Sequence, residues 1–120
     1  MGLLDRIRNL SAPETPEDAD RLALRQLEAR GADLARARRI VHVLMASDET
    51  TARAAASAAR DLGYEVAVVA PTDEAETWTI RAAAERVVHA TTVGAFRAAF
   101  ERIAEETGAT YDGWEAAPKP

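Results

Sequence analysis

An α+β fold built on one four-stranded antiparallel sheet is predicted for this chain by three observations. Three amphipathic segments carry helix start and stop residues, apolar runs of strand length lie between and after them, and a short polar loop joins only the second and third of those runs. A short loop marks a hairpin, and the helical connections mark crossovers. The order therefore reads helix, strand, helix, strand, strand, helix, strand.

A chain of 120 residues is the size of one domain, and 48% hydrophobic content suffices for a core, although much of it is alanine. The expected organisation is a flexible arm over residues 1–14, one domain over 15–117 and a tail over 118–120. A formal net charge of −5 argues against a protein whose main task is to hold nucleic acid phosphates. The absence of cysteine removes disulfides, thiol nucleophiles and Cys-ligated metals together, and fits a cytoplasmic protein. Met1–Leu10 carries Asp5, Arg6 and Arg8, so it lacks the apolar core of a signal peptide, and no run elsewhere could span a bilayer.

Leu3, Leu4, Ile7 and Leu10 stand at helical spacing before Ser11-Ala12-Pro13-Glu14 breaks the pattern; a helix this short is marginal alone, so a frayed arm is expected. Thr15-Pro16-Glu17-Asp18 opens a helix with a hydroxyl cap, Pro at the first helical position and acids in the first turn. It should run to Arg30 and stop at Gly31, burying Ala19, Leu22, Ala23, Leu24 and Leu27.

Arg39 to Ala46 reads as a central strand covered on both faces, because Ile40-Val41-His42-Val43-Leu44-Met45 has little polarity on either side. The added first helix is expected to cover part of the face that the crossover helices leave free. Ser47-Asp48-Glu49-Thr50 caps a second helix with Ala52, Ala55, Ala56, Ala59 and Leu62 on one side and Gly63 as its stop. Tyr64 to Ala70 is the second strand, and Pro71 to Glu76 a polar hairpin loop. Thr77 to Ala82 alternates polar with apolar, the pattern of a strand with one wet face, and can continue through Val88. Thr91-Thr92 opens a last helix with Val93, Phe96, Ala99, Phe100 and Ile103 on one stripe and Gly108 as its stop. Thr110-Tyr111-Asp112-Gly113-Trp114-Glu115 closes the sheet as an edge strand beside the first, with Gly113 at a kink or bulge. This is the ferredoxin-like βαββαβ sandwich with an added N-terminal helix.

The chemistry available is limited. The only histidines are His42, among apolar strand residues and expected in a core, and His89, expected at a strand end facing water. No metal-ligand spacing and no Gly-x-Gly phosphate loop occurs, and no cofactor is expected. Adjacent acids fall on helix starts, where capping accounts for them. RNA-recognition domains share this strand order but stack bases on aromatics of the first and third strands; here the first has none and the third only Trp78. Charge is uneven along the chain: residues 48–76 hold seven acids against two arginines. That acidity is either a solvated surface or a patch for a basic partner.

Leu62-Gly63-Tyr64-Glu65-Val66 after an alanine-rich helix, together with Tyr111-Asp112-Gly113-Trp114 at the close, resembles the regulator of ribonuclease E activity B family over roughly Asp18 to Trp114. The resemblance implies small cytoplasmic bacterial proteins of ferredoxin-like fold that act without catalysis, by binding an endoribonuclease and lowering its activity. The sequence departs from the best-known members in having Ala116-Ala117-Pro118-Lys119-Pro120 where those continue as an acidic extension.

Two functional readings follow. The first is a non-enzymatic, protein-binding regulator of RNA turnover, with contact residues Asp48, Glu49, Asp61, Glu65, Asp73, Glu74 and Glu76 and the edge strand at Tyr111, Asp112 and Trp114. That edge could equally pair two copies as a homodimer; neither nucleic acid nor membrane is an expected partner. The second is a small-ligand or enzymatic module using His42 and Trp78 on the sheet face that the crossover helices leave open.

Overall fold

The computed structural model describes residues 15–117, so the expected arm at 1–14 and tail at 118–120 lie outside the described residues. Its elements are α1 (Pro16–Ala29), β1 (Ala37–Ala46), α2 (Glu49–Asp61), β2 (Glu65–Val69), β3 (Trp78–Val87), α3 (Ala90–Thr107) and β4 (Thr110–Ala116). The strands form one sheet in the order β2-β3-β1-β4, with every neighbouring pair antiparallel. This is the expected ferredoxin-like order, with β4 on an edge beside β1 and an extra helix in front.

The helices begin where side chains replace missing backbone partners. Thr15 accepts from the Asp18 amide at 3.1 Å, and Asp48 accepts from the Thr51 amide at 2.7 Å. At α3 the cap is His89, not a threonine. Thr92 accepts from the His89 amide at 3.0 Å and donates to the Val87 carbonyl at 2.6 Å, which places Thr92 one turn inside the helix as half of a capping box. Gly108, at φ 86, ends α3 in the left-handed conformation that other residues enter at a cost.

The core lies between the sheet and the three helices. On β1 the side chains of Arg38, Ile40, His42, Leu44 and Ala46 are buried on the helix side. Ala52, Ala55, Ala56 and Ala59 let α2 sit close against the sheet, each at most 1% exposed. Fully buried Ile40, Leu44, Ile80 and Phe100 each contribute about 1.5–3 kcal/mol by leaving water. Arg38 ties both chain segments beside β1, donating to the carbonyls of Asp33 and Ala117.

Three expectations about packing are corrected. Among the described residues β1 is covered on one face only: Arg39 is exposed and Val41, Val43 and Met45 are half-buried on the other. The reason is the position of α1, whose Leu24 and Leu27 pack with Ile40, Val88 and Val93 on the same side as α2 and α3. Within α1, Leu22 is 40% exposed while Asp20 is buried, because Asp20 has charged and polar partners on that side. Leu62, placed at the C-cap of α2 beyond the alanine stripe, is 47% exposed.

Candidate protein-interaction site

β4 is organised by a bulge. Residues three apart on a regular strand face opposite sides, yet Tyr111 and Trp114 both face the helices. Tyr111 pairs with Leu44 and Trp114 with His42, so Asp112 and Gly113 together oppose Val43 alone. The extra residue rephases the strand, and Gly113, at φ 100, supplies the left-handed conformation the bulge requires.

The two rings so turned inward complete a buried polar cluster. Asp20 of α1 receives the Arg97 guanidinium of α3 through two bonds of 2.6 Å, and the Trp114 indole N–H at 2.8 Å. The hydrogen bonds to Asp20 hold the Arg97 pKa above its ordinary value, and the guanidinium also lies 5.4 Å from the centre of the Tyr111 ring. The Tyr111 hydroxyl is 2.7 Å from His42 Nδ1, and the His42 ring stacks on Phe100 at 4.0 Å between centroids. Burial, followed by the Arg97 charge, pulls the His42 pKa down to about 4 against the opposing pull of Asp20. Burial likewise pushes the Tyr111 hydroxyl up. At neutral pH the pair is uncharged on both sides, and its bond serves to position the rings. His42 Nε2 is buried without a hydrogen-bond partner among the described residues.

This geometry removes the ligand site expected around His42 and Trp78. His42 has no exposed surface, enclosed by Phe100, Tyr64, Phe96 and Tyr111. Trp78 packs against the same core as Leu44 and Ala46. Both therefore face the helices, and the open face carries no aromatic ring from β1 or β3. Asp20 and Arg97 were not singled out in the sequence, although a signal existed. Asp20, Leu24 and Leu27 fall on one helical stripe, and an acid on a buried stripe requires a partner.

The acidic residues divide between one end of the sheet and positions away from it. Ala46 pairs with Trp78, Val69 with Thr79 and Met45 with Thr110, so these residues mark one end. Asp48 and Glu49 at the start of α2, and Asp73, Glu74 and Glu76 in the β2–β3 loop, gather there. Exposed Glu105 and Glu106, in the last turn of α3, join them. Asp61, at the far end of α2, and Glu65, opposite Ala83 in the middle of β3, lie away from it, and Asp112 is exposed on β4.

Within the acidic end the carboxylates differ in freedom. Asp48 is occupied by the Thr51 amide and hydroxyl, which hold its pKa below the usual range, and Glu49 pairs with Arg53 at 2.8 Å. Asp73, Glu74 and Glu76 are exposed and have no side-chain partner among the described residues. Their loop is nonetheless shaped: Thr72 and Ala75 exchange backbone hydrogen bonds of 2.8 and 3.2 Å, and the Thr72 hydroxyl oxygen accepts from the amides of Glu74 and Ala75. The turn so closed presents Asp73 and Glu74 at its tip.

Among the described residues, no cluster of three potential metal ligands occurs, and no helix is long and apolar enough to cross a membrane. No curated protein matches this chain. The family model described as regulator of ribonuclease activity B matches residues 17–116, from the first turn of α1 to the last residue of β4. That span includes the alanine helix, the Gly63-Tyr64 strand entry and the bulged closing strand, and the chain belongs to the regulator of ribonuclease activity B family.

Proposed function

We propose that this protein is a cytoplasmic, non-enzymatic regulator that binds an endoribonuclease through the acidic end of its sheet and changes the rate of RNA cleavage by protein contact. The observation that carries the reading is the gathering of Asp73, Glu74 and Glu76 on a shaped, exposed loop beside Asp48, Glu49, Glu105 and Glu106, in a chain of this family. An enzyme that cleaves RNA must offer Lys and Arg to phosphates, and such a surface is complementary to a dense, solvent-facing group of carboxylates. Charge of this kind acts on encounter rate and orientation, so binding should weaken steeply with salt. The edge of β4 adds backbone groups and Asp112 as a second contact, used either by the nuclease or by a second copy of the chain.

The direct test is a pull-down from the source organism with the wild-type protein and with the Glu74→Lys, Glu76→Lys variant. Recovery of a ribonuclease by the wild type and its loss with the variant are expected. Recovery of none by the wild type would count against the reading.

A further inference from the structure

The sheet ends at β4 in a strand whose outer side pairs with no other strand among the described residues. Its side chains sort by face. Tyr111, Trp114 and Ala116 stand level with Leu44, His42 and Ile40 and face the helices, while Thr110, Asp112 and Glu115, level with Met45, Val43 and Val41, face away. Between α1 and β4 lies a notch of about 150 Å³, walled by Ala23, Gln26, Leu27 and Arg30 on one side and by Trp114 to Ala116 on the other. A cavity of that size takes one benzene-sized group.

We propose that the outer edge of β4 receives an extended segment of the nuclease partner as an added strand, with an aliphatic side chain in this notch and a Lys or Arg on each side of it in sequence. The inference rests on the reading of the protein as a regulator that acts by contact. Backbone pairing supplies the attachment, and the alternation of side chains across the two faces sets which segment fits.

The residue opposite Trp114 turns towards the helices, where the notch offers Ala23, Leu27, the indole and Ala116. The bond from the indole N–H to Asp20 at 2.8 Å fixes that wall. Arg30 lines the same notch, so a cation is repelled there and an aliphatic group is not. The residues before and after it turn to the other face, beside Asp112 and Glu115. Asp112 is exposed and has no side-chain partner among the described residues. Glu115 shares an exposed pair with Arg81 at 3.3 Å, a contact weak enough to yield to a second cation.

Charge also separates this occupant from a second copy of the chain. Antiparallel pairing of β4 with itself that keeps the faces aligned sets Asp112 opposite Glu115, or one of these acids opposite its own copy. Like charges directly opposite destabilise a strand pair, and a basic strand gains from the same two positions.

The probe is a labelled peptide of seven residues, the length of β4, with the sequence Lys-Val-Lys-Leu-Lys-Val-Lys, titrated with the full chain and followed by fluorescence anisotropy. Binding is expected to weaken about tenfold with Asp112→Lys, Glu115→Lys, and similarly with Ala23→Leu, which fills the notch. It should be lost when alternate peptide amides are N-methylated, and unchanged with Asp73→Lys, Glu74→Lys, Glu76→Lys; thermal melts confirm that each variant is folded. Failure of the peptide to bind, equal binding of the N-methylated peptide, or a loss confined to the Asp73, Glu74, Glu76 variant would overturn the added strand. A dimer of the free chain that Asp112→Lys, Glu115→Lys disrupts, seen by sedimentation, would overturn it in favour of a second copy. Each of these outcomes leaves the acidic-end reading to its own pull-down, and a pull-down without ribonuclease beside a peptide that binds as expected would remove that reading and keep the edge as a receptor for basic strands.

Discussion

Trp114 and Asp20, separated by 94 residues, are joined by a hydrogen bond of 2.8 Å from the indole N–H to Oδ1. The same carboxylate holds Arg97 in a two-point clamp, so one acid fastens α1 to both α3 and β4. α1 lies on the helix side of the sheet through this acid as well as through Leu24 and Leu27.

Removing the acid leaves Arg97 as a partly buried cation without its main partner. Asp20→Ala is expected to destabilise the protein by ~3–5 kcal/mol, measured by urea unfolding. Because the penalty comes from the stranded charge, adding Arg97→Met to Asp20→Leu should recover much of it. Equal destabilisation by the double change would show that the loss lies in packing.

Gly113 and Gly94 should respond in opposite directions to the same substitution. A Cβ at either position meets nothing within 4 Å, so only backbone conformation decides. Gly113→Ala is expected to cost ~1–2 kcal/mol through its φ of 100 and to perturb the rings on either side of the bulge. Gly94→Ala, inside α3, should stabilise by ~0.5–1 kcal/mol. Thermal melts of the two variants make the comparison.

His42 makes stability depend on pH. Its folded pKa of about 4 lies below the unfolded value of 6.5, so between these the unfolded chain binds the extra proton. Stability from this group is complete above pH 6.5 and declines as pH falls towards 4, by roughly 3 kcal/mol in all. His42→Gln is expected to be less stable at pH 7 but to lose less between pH 7 and pH 4.5. An unchanged slope in unfolding free energy against pH would show that other groups set the acid limit.

Much of the fold was legible because its signals are local. Thr15-Pro16, Asp48, Gly63 and Gly108 mark helix ends through side chains or backbone conformations that act within a few residues, and the bulge was visible as a glycine in an aromatic strand. The side on which α1 packs was not legible. It depends on the Asp20–Arg97 pair, whose members are 77 residues apart, and an apolar β1 suits either a buried face or one awaiting a cover. The same distance effect hid the fate of His42: apolar neighbours predicted burial, but not which face or that Tyr111 would be its partner. The acidity of residues 48–76 was readable as composition. Its division became apparent only from strand register, which sends Asp61 and Glu65 away from Asp73, Glu74 and Glu76.

The most direct measurement is the rate at which an endoribonuclease of the source organism cleaves a structured RNA, titrated with wild-type protein and with Asp73→Lys, Glu74→Lys, Glu76→Lys. These side chains lie in an exposed loop closed by Thr72 and Ala75, so the variant should fold and melt as the wild type does. Wild type is expected to change the rate, with an effect that fades as salt is raised, and the variant to require about tenfold more protein for the same effect. Equal potency of the folded variant, at low and high salt alike, would contradict contact through the acidic end.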